Sequence, residues 1–166
     1  MRAGIALGSN LGDRLANLKN AREKIAQVPM VSRPILASSV YETEPVDCPP
    51  GSPRFLNAVI EVECDAEPMK LLSCLREIEQ LLGRQYTDER SAPRTADLDL
   101  LYFGAVILVI STLHLPHPRM YQRRFVLEPL AEIRPDLVLP GQAENVATLL
   151  RNLPDTTSLV RVATEW

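Results

Sequence analysis

Two aspartates, Asp97 and Asp99, stand two residues apart in the segment Pro93-Arg94-Thr95-Ala96-Asp97-Leu98-Asp99-Leu100-Leu101. On an extended strand, side chains repeat with period two, so both carboxylates share a face about 6–7 Å apart while Leu98 and Leu100 take the other. Like charges at that spacing repel, and a cation between them relieves the repulsion. An all-oxygen pair on a strand suits Mg²⁺, which is commonly held by one or two carboxylates and the phosphates of a substrate. Arg94, three residues before Asp97, adds a donor matched to phosphate. The segment reads as a magnesium-nucleotide site. A blander alternative is an edge strand showing two solvated acids. Against it, residues 100–110 are almost wholly apolar, which predicts a strand central in its sheet, where an unpaired carboxylate is costly.

The basic residues support an anionic ligand of limited size. Arg84, Arg90 and Arg94 precede the acid pair, and Arg119, Arg123 and Arg124 follow it, although the chain carries a net charge of −3. Such a balance gives no general attraction to nucleic acid or to an anionic membrane. The apolar run 100–110 is too short to span a bilayer, and no basic-then-apolar leader precedes the first predicted strand. Cys48, Cys64 and Cys74 are odd in number with no C-x-x-C pair, which argues against a disulfide framework or zinc site and for a reducing, cytoplasmic setting.

Three further groups could do chemistry. Gly8-Ser9-Asn10-Leu11-Gly12 lacks the Gly-Lys-Ser/Thr of a P-loop; it is either a tight turn or an anion-holding helix start. Phe55 and Asn57 share a strand face, where a ring and an amide suit a flat heterocycle, by stacking and by edge hydrogen bonds; a core ring and a surface amide are the alternative. His117 lies between Pro116 and Pro118, with Arg119 next, so its backbone is stiff and its imidazole is either a phosphate donor or structural. His114 reads as structural.

At 166 residues with 46% apolar and 23% charged side chains, one soluble domain, 1–166, is expected. Strands are predicted at 2–7, 35–42 and 55–63, at the acid pair before Gly104, and at 106–110. A helix after Asp13 carries Leu15, Leu18, Ala21 and Ile25 and ends before Pro29, and a second starts at Pro68 and stops at Gly83. Short helices are expected at 121–127, 129–133 and 146–152. The order β-α-β-β-α-β predicts an α+β fold, ferredoxin-like, with an antiparallel sheet, helices packed on it and a C-terminal extension.

These pieces together resemble the 6-hydroxymethyl-7,8-dihydropterin pyrophosphokinase family. The likeness is carried by Ala6-Leu7-Gly8-Ser9-Asn10-Leu11-Gly12, Ser39-Val40-Tyr41-Glu42-Thr43-Glu44-Pro45-Val46, Phe55-Leu56-Asn57-Ala58-Val59, the acid-pair segment, and Pro116-His117-Pro118-Arg119 through Arg123-Arg124-Phe125-Val126-Leu127, in family order. The resemblance implies transfer of a pyrophosphoryl group from ATP, the co-substrate, to the hydroxymethyl oxygen of the pterin, with AMP leaving. It implies two Mg²⁺ ions on Asp97 and Asp99 and a stabilising role for Arg84 and Arg94. It places the pterin between Phe55 and Phe125, its edge read by Asn57 and by the backbone of Thr43, Pro45 and Val46. Glu79, Arg84, Arg90, Arg94, His117, Arg119 and Arg123 would line the nucleotide side, with Leu72 and Leu100 near the adenine. It also implies a monomer whose partners are these small molecules.

The chain departs from the family pattern at Ser91 and Ala92, where an aromatic and a glycine are frequent, at Tyr86, where a basic residue is frequent, and at Asp47-Cys48. A rival class is a non-catalytic nucleotide or metal sensor of the same topology. An RNA-binding module is excluded by the missing strand aromatics and the negative charge.

Overall fold

A computed structural model describes residues 1–45, 51–84, 94–154 and 157–166. The chain runs β1 (Arg2–Ser9), α1 (Arg14–Ala26), β2 (Val31–Ala37), β3 (Val40–Thr43), β4 (Phe55–Cys64), α2 (Pro68–Leu81), β5 (Asp97–Phe103), β6 (Leu108–Ile110), β7 (Leu113–Leu115), a 3-10 helix (Pro118–Gln122), α3 (Arg124–Ile133), α4 (Val146–Asn152) and β8 (Val160–Ala163). It is a mixed α+β fold built on an antiparallel sheet ordered β5-β1-β4-β3-β8, with β2 also on β4 and a separate β6–β7 hairpin. Among the described residues no helix is long and apolar enough to cross a membrane.

Local signals set several boundaries. Asp13 caps α1, its Oδ1 accepting from Ala16 N at 3.0 Å. Pro68 opens α2 without a cap, because its missing N–H is one that a first turn leaves unused anyway. Gly83 follows α2 with φ +87°, a left-handed turn that favours glycine.

The strand predicted at 35–42 is two strands. β2 and β3 part at Ser38–Ser39, where side chains take over the ladder: Val59 N donates to Ser38 Oγ at 3.0 Å, and Trp166 Nε1 donates to Ser38 O at 2.7 Å. Glu132, on α3, accepts from Ser39 N, Ser39 Oγ and Tyr41 Oη at 2.9, 2.7 and 2.9 Å. Burial pushes its carboxyl up, but these donors and the nearby Arg161 outweigh it, so the acid is lowered from 4.5. A carboxyl lowered by folding adds stability above its unfolded value and loses it as pH falls through the folded one. Glu132→Gln is therefore expected to cost stability at neutral pH, with the gap closing as pH falls below 4.5 and the carboxyl becomes protonated in the folded protein as well. Urea midpoints of both proteins from neutral pH downward check it.

The acid-pair strand is not central. Among the described residues β5 is the sheet's edge, hydrogen-bonded in that sheet to β1 alone. Its apolar run reflects cover on both faces. Leu98, Leu100 and Phe103 pack with α1 and α2, while Leu101 and Tyr102 pack with Met120, Val126 and Leu127 on the opposite face. The switch of face comes from a bulge: Ile5 pairs with Leu100 and Gly4 with Tyr102, leaving Leu101 extra. The two short helices expected at 121–127 and 129–133 are one helix, α3, with Pro129 inside it and the 3-10 helix before it. Strand 106–110 shortens to β6, and its partner β7 and the late strand β8 lack a sequence signal of their own.

Candidate active site

Strand register sorts the site onto one sheet face. Across β4, β1 and β5 the aligned rows are Asn57–Gly8–Asp97, Val59–Ala6–Asp99 and Glu61–Gly4–Tyr102. β3 adds Tyr41 opposite Asn57 and Thr43 opposite Phe55. Side chains on directly paired residues share a face. The carboxylate pair and the amide–aromatic pair therefore look out of the same face, separated by a middle strand that contributes only Gly8 and Ala6 between them.

The acids are not solvated free charges. Asp97 Oδ1 accepts from Arg84 Nη1 at 2.7 Å, and Asp97 Oδ2 from Arg94 Nη1 at 2.8 Å. Arg123 Nη1 stands 4.0 Å from Asp99 Oδ2. Asp99 is raised above 3.8, first by burial and then by the Asp97 charge, with His117, Arg123 and Arg119 pulling the other way. Its side chain still keeps 40% of its surface, so it lies at the floor of an open cleft rather than in a sealed core.

Glu79 on α2 reaches across to β5 and to Arg84. Its Oε1 accepts from Arg84 Nη1 and, at 2.7 Å, from Leu98 N. That bond satisfies an edge-strand donor between the two aspartates and ties α2 to β5. Asn10, in the turn after β1, holds Arg94: Asn10 N donates to Arg94 O at 3.1 Å, and Asn10 Oδ1 accepts from Arg94 N at 2.7 Å. The buried Asn10 amide fixes the backbone from which that guanidinium projects. Its signal in the sequence was an Asn flanked by glycines after a strand, which a tight turn explains equally well.

His117 is docked on the β5 bulge, its N–H donating to Leu101 O at 2.7 Å. Its Nδ1 accepts from Arg119 N at 3.3 Å, which leaves Nε2 to carry the proton of the neutral ring. Burial lowers its pKa below 6.5, and the Asp99 carboxylate partly offsets this. A cleft of ≈ 440 Å³ runs beside this edge, lined by Leu72, Arg76, Glu79, Arg84, Asp97, Asp99, Leu100, Thr112, His114, His117 and Arg119, among others. It gathers most of the residues expected on the nucleotide side. It also adds Arg76 and Thr112, which the sequence does not single out, and His114, which reads there as structural, because the β6–β7 hairpin that brings the last two there is only half visible in the sequence.

On the other side, Asn57 is buried and its Nδ2 donates to Thr43 Oγ1 at 2.7 Å. Phe55 is half-buried at the start of β4. Phe125 lies in the first turn of α3 with the Arg123 guanidinium 5.4 Å from its ring centre. Pro45 closes the described part of the loop after β3. Val46 and Arg90, with the departures Asp47, Cys48, Tyr86, Ser91 and Ala92, lie outside the described residues.

A magnesium fit can be judged from the donor set. Among the described residues no cluster of three or more His, Cys, Asp or Glu forms a closed metal cage. Two carboxylates on one strand face leave most of a coordination sphere to phosphate and water, the usual arrangement for Mg²⁺. The residues fit the ion.

An edge-strand acid pair compensated by arginines, beside a cleft and a buried amide, is the equipment of a phosphate-handling protein. The family model for 7,8-dihydro-6-hydroxymethylpterin-pyrophosphokinase (HPPK) matches residues 4–135. The chain is 45% identical over 131 residues to the 2-amino-4-hydroxy-6-hydroxymethyldihydropteridine pyrophosphokinase of Bacillus subtilis, covering 79% of this chain and 77% of that protein. It is 40% identical over 139 residues to the Pseudomonas aeruginosa protein of the same name, covering 84% of each. A solved Plasmodium falciparum HPPK-DHPS shares the fold, with a TM-score of 0.69 at 14% identity over 90% of this chain. This chain spans 42% of that longer one. The chain belongs to the HPPK family.

Proposed function

We infer that the protein transfers the pyrophosphoryl group of ATP to 6-hydroxymethyl-7,8-dihydropterin, releasing AMP and the pterin diphosphate, a step of folate synthesis. The observation that carries this reading is the single row Asn57–Gly8–Asp97, which sets a heterocycle-reading amide and a phosphate-side carboxylate on adjacent positions of one sheet face. The β5-β1-β4 sheet with its divided second strand is read as ferredoxin-like, residues 1–166 as one pyrophosphokinase domain with a C-terminal extension, and the protein as a cytoplasmic monomer.

Asp97 and Asp99 would hold two Mg²⁺ ions. Bound there, magnesium supplies neutralisation of the triphosphate charge and polarises the β-phosphorus. The protein's own residues do the rest. Leu72 and Leu100 give the adenine an apolar bed, and Glu79 holds the wall beside it. Arg84 and Arg94 leave Asp97 for the oxygens of the transferring group as the triphosphate enters, and His117, Arg90, Arg119 and Arg123 grip its remaining oxygens. Thr43, Pro45, Val46 and Asn57 read the pterin edge while Phe55 and Phe125 sandwich its faces. No covalent nucleophile is required, since phosphoryl chemistry rests on position and charge. Incubation with ATP, Mg²⁺ and the hydroxymethyl dihydropterin should give AMP in step with the pterin diphosphate. ATP binding without AMP formation would overturn the reading in favour of a sensor.

Arg94 offers a sharper check. Its backbone is pinned by Asn10, so the guanidinium pivots from a fixed point. Arg94→Ala is expected to lower kcat about 100-fold or more, as for loss of one transition-state donor, while ATP affinity moves only a few-fold. Arg94→Lys should recover only part, because an ammonium cannot reproduce a two-pronged contact. Single-turnover rates and calorimetric ATP titrations separate the two quantities.

A further inference from the structure

Gly4 and Gly8 lie on the same face of β1 and meet different fates. A Cβ at Gly4 would fall 2.1 Å from Tyr102 Cε1, so a protein ring already fills that space. A Cβ at Gly8 would meet Asn57 Oδ1 at 3.3 Å, Asp97 Cβ at 3.8 Å and Phe55 Cδ1 at 3.9 Å. These neighbours belong to the two halves of the site: the amide and ring on one side, the acid on the other. The backbone gives no reason for glycine here. Gly8 is outside the left-handed range and is paired on both sides in a regular antiparallel ladder. An alanine could adopt this conformation, and only the Asn57 contact is tight enough to need a small adjustment.

We propose that Gly8 is a specificity-determining position, kept bare so that a flat heterocycle with a one-carbon alcohol arm can lie low across β1 and reach the phosphate side. The inference rests on the pyrophosphokinase reading above. From the Asn57 column to the Asp97 column is two strand spacings, about 9–10 Å. A ring read at Asn57 and a single-carbon arm leave no slack over that span. A methyl group at residue 8 would lift the bridging part of the substrate and press on the amide that reads its edge. A misplacement of about 1 Å can cost about 100-fold in rate.

Gly8→Ala tests this against three readouts: thermal unfolding, calorimetric affinity for a nonhydrolysable ATP analogue with Mg²⁺, and affinity and turnover for the hydroxymethyl dihydropterin and its 6-hydroxyethyl homologue. Unfolding and analogue affinity should match the parent protein. Pterin affinity should weaken about 10-fold and kcat fall about 100-fold, with the longer-armed homologue losing less, so that the preference between the two shifts toward it. Equal losses on both substrates, a parallel loss of analogue affinity, or failure of Gly8→Ala to fold would each overturn the proposal, making the glycine a packing requirement instead. If the parent protein bound the ATP analogue but neither pterin, the functional reading itself would fall, and this inference with it.

Discussion

Asp97→Asn is expected to abolish turnover to within the background of the assay, a loss of about 1,000-fold or more, with the fold intact. The substitution keeps the shape of the side chain but removes the charge that holds Arg84 and Arg94 at 2.7 and 2.8 Å. Without ligand those guanidinium groups would lose an anionic partner, Arg84 keeping Glu79; with ligand bound the metal would lose an anionic ligand, and electrostatic stabilisation in such sites is commonly the largest catalytic contribution. Asp99→Asn should be similarly inactive. It differs in one respect: it removes a carboxylate whose burial disfavours its charge, so its melting temperature should equal or exceed that of the parent. AMP release and thermal unfolding of both variants check the expectation. Near-normal magnesium-dependent activity in either would remove the acid pair from the mechanism.

The largest effect on stability is expected at Gly4. Tyr102 crosses directly over this residue to donate its hydroxyl to Glu61 at 2.6 Å, and Glu61 also accepts from Arg134 Nε at 2.8 Å. Burial first, and the Glu61 carboxylate second, push the Tyr102 phenol well above its ordinary value, so it stays a donor. Gly4→Ala drives a methyl group into the ring. The ring can move only by giving up a buried, charge-assisted hydrogen bond. Overpacking of about 1–3 kcal/mol together with a lost bond to a charged group of about 1.5–3 kcal/mol predicts a destabilisation of about 3 kcal/mol or more. Denaturant unfolding would reveal it, and Gly4→Ala combined with Tyr102→Phe should not restore stability, because the ring remains.

What could be read in advance followed the range of the forces involved. The Asp13 cap, the Pro68 start and the Gly83 stop depend on neighbours within a few residues, and the periodicities of α1 and α2 needed nothing more. The acid pair and Asn57 were likewise visible, because period-two geometry is intrinsic to a strand. The position of β5 was misjudged because a run of apolar residues reports burial, not the number of hydrogen-bonded neighbours. Here an edge strand is buried by helices on one face and by α3 and the 3-10 helix on the other, and a bulge at Leu101 puts two successive side chains, Leu101 and Tyr102, into the same layer. The division of β2 from β3 depends on Glu132 and Trp166, some 90 to 130 residues away, and no local pattern announces it. Asn10 was hidden for the same reason: its partner, Arg94, is 84 residues on.

β1 also constrains how this sequence can drift. Ile5 and Leu7 face a core shared with two helices, where one aliphatic can replace another if volume is kept. Positions 4, 6 and 8 have no such latitude. One lies beneath a tyrosine, one is an alanine packed against the second core, and one separates the two halves of the site. Homologues that have changed substrate or partner should therefore show their substitutions in the strands and loops flanking β1, while its alternating small residues persist, as in a keel about which the rest is rebuilt.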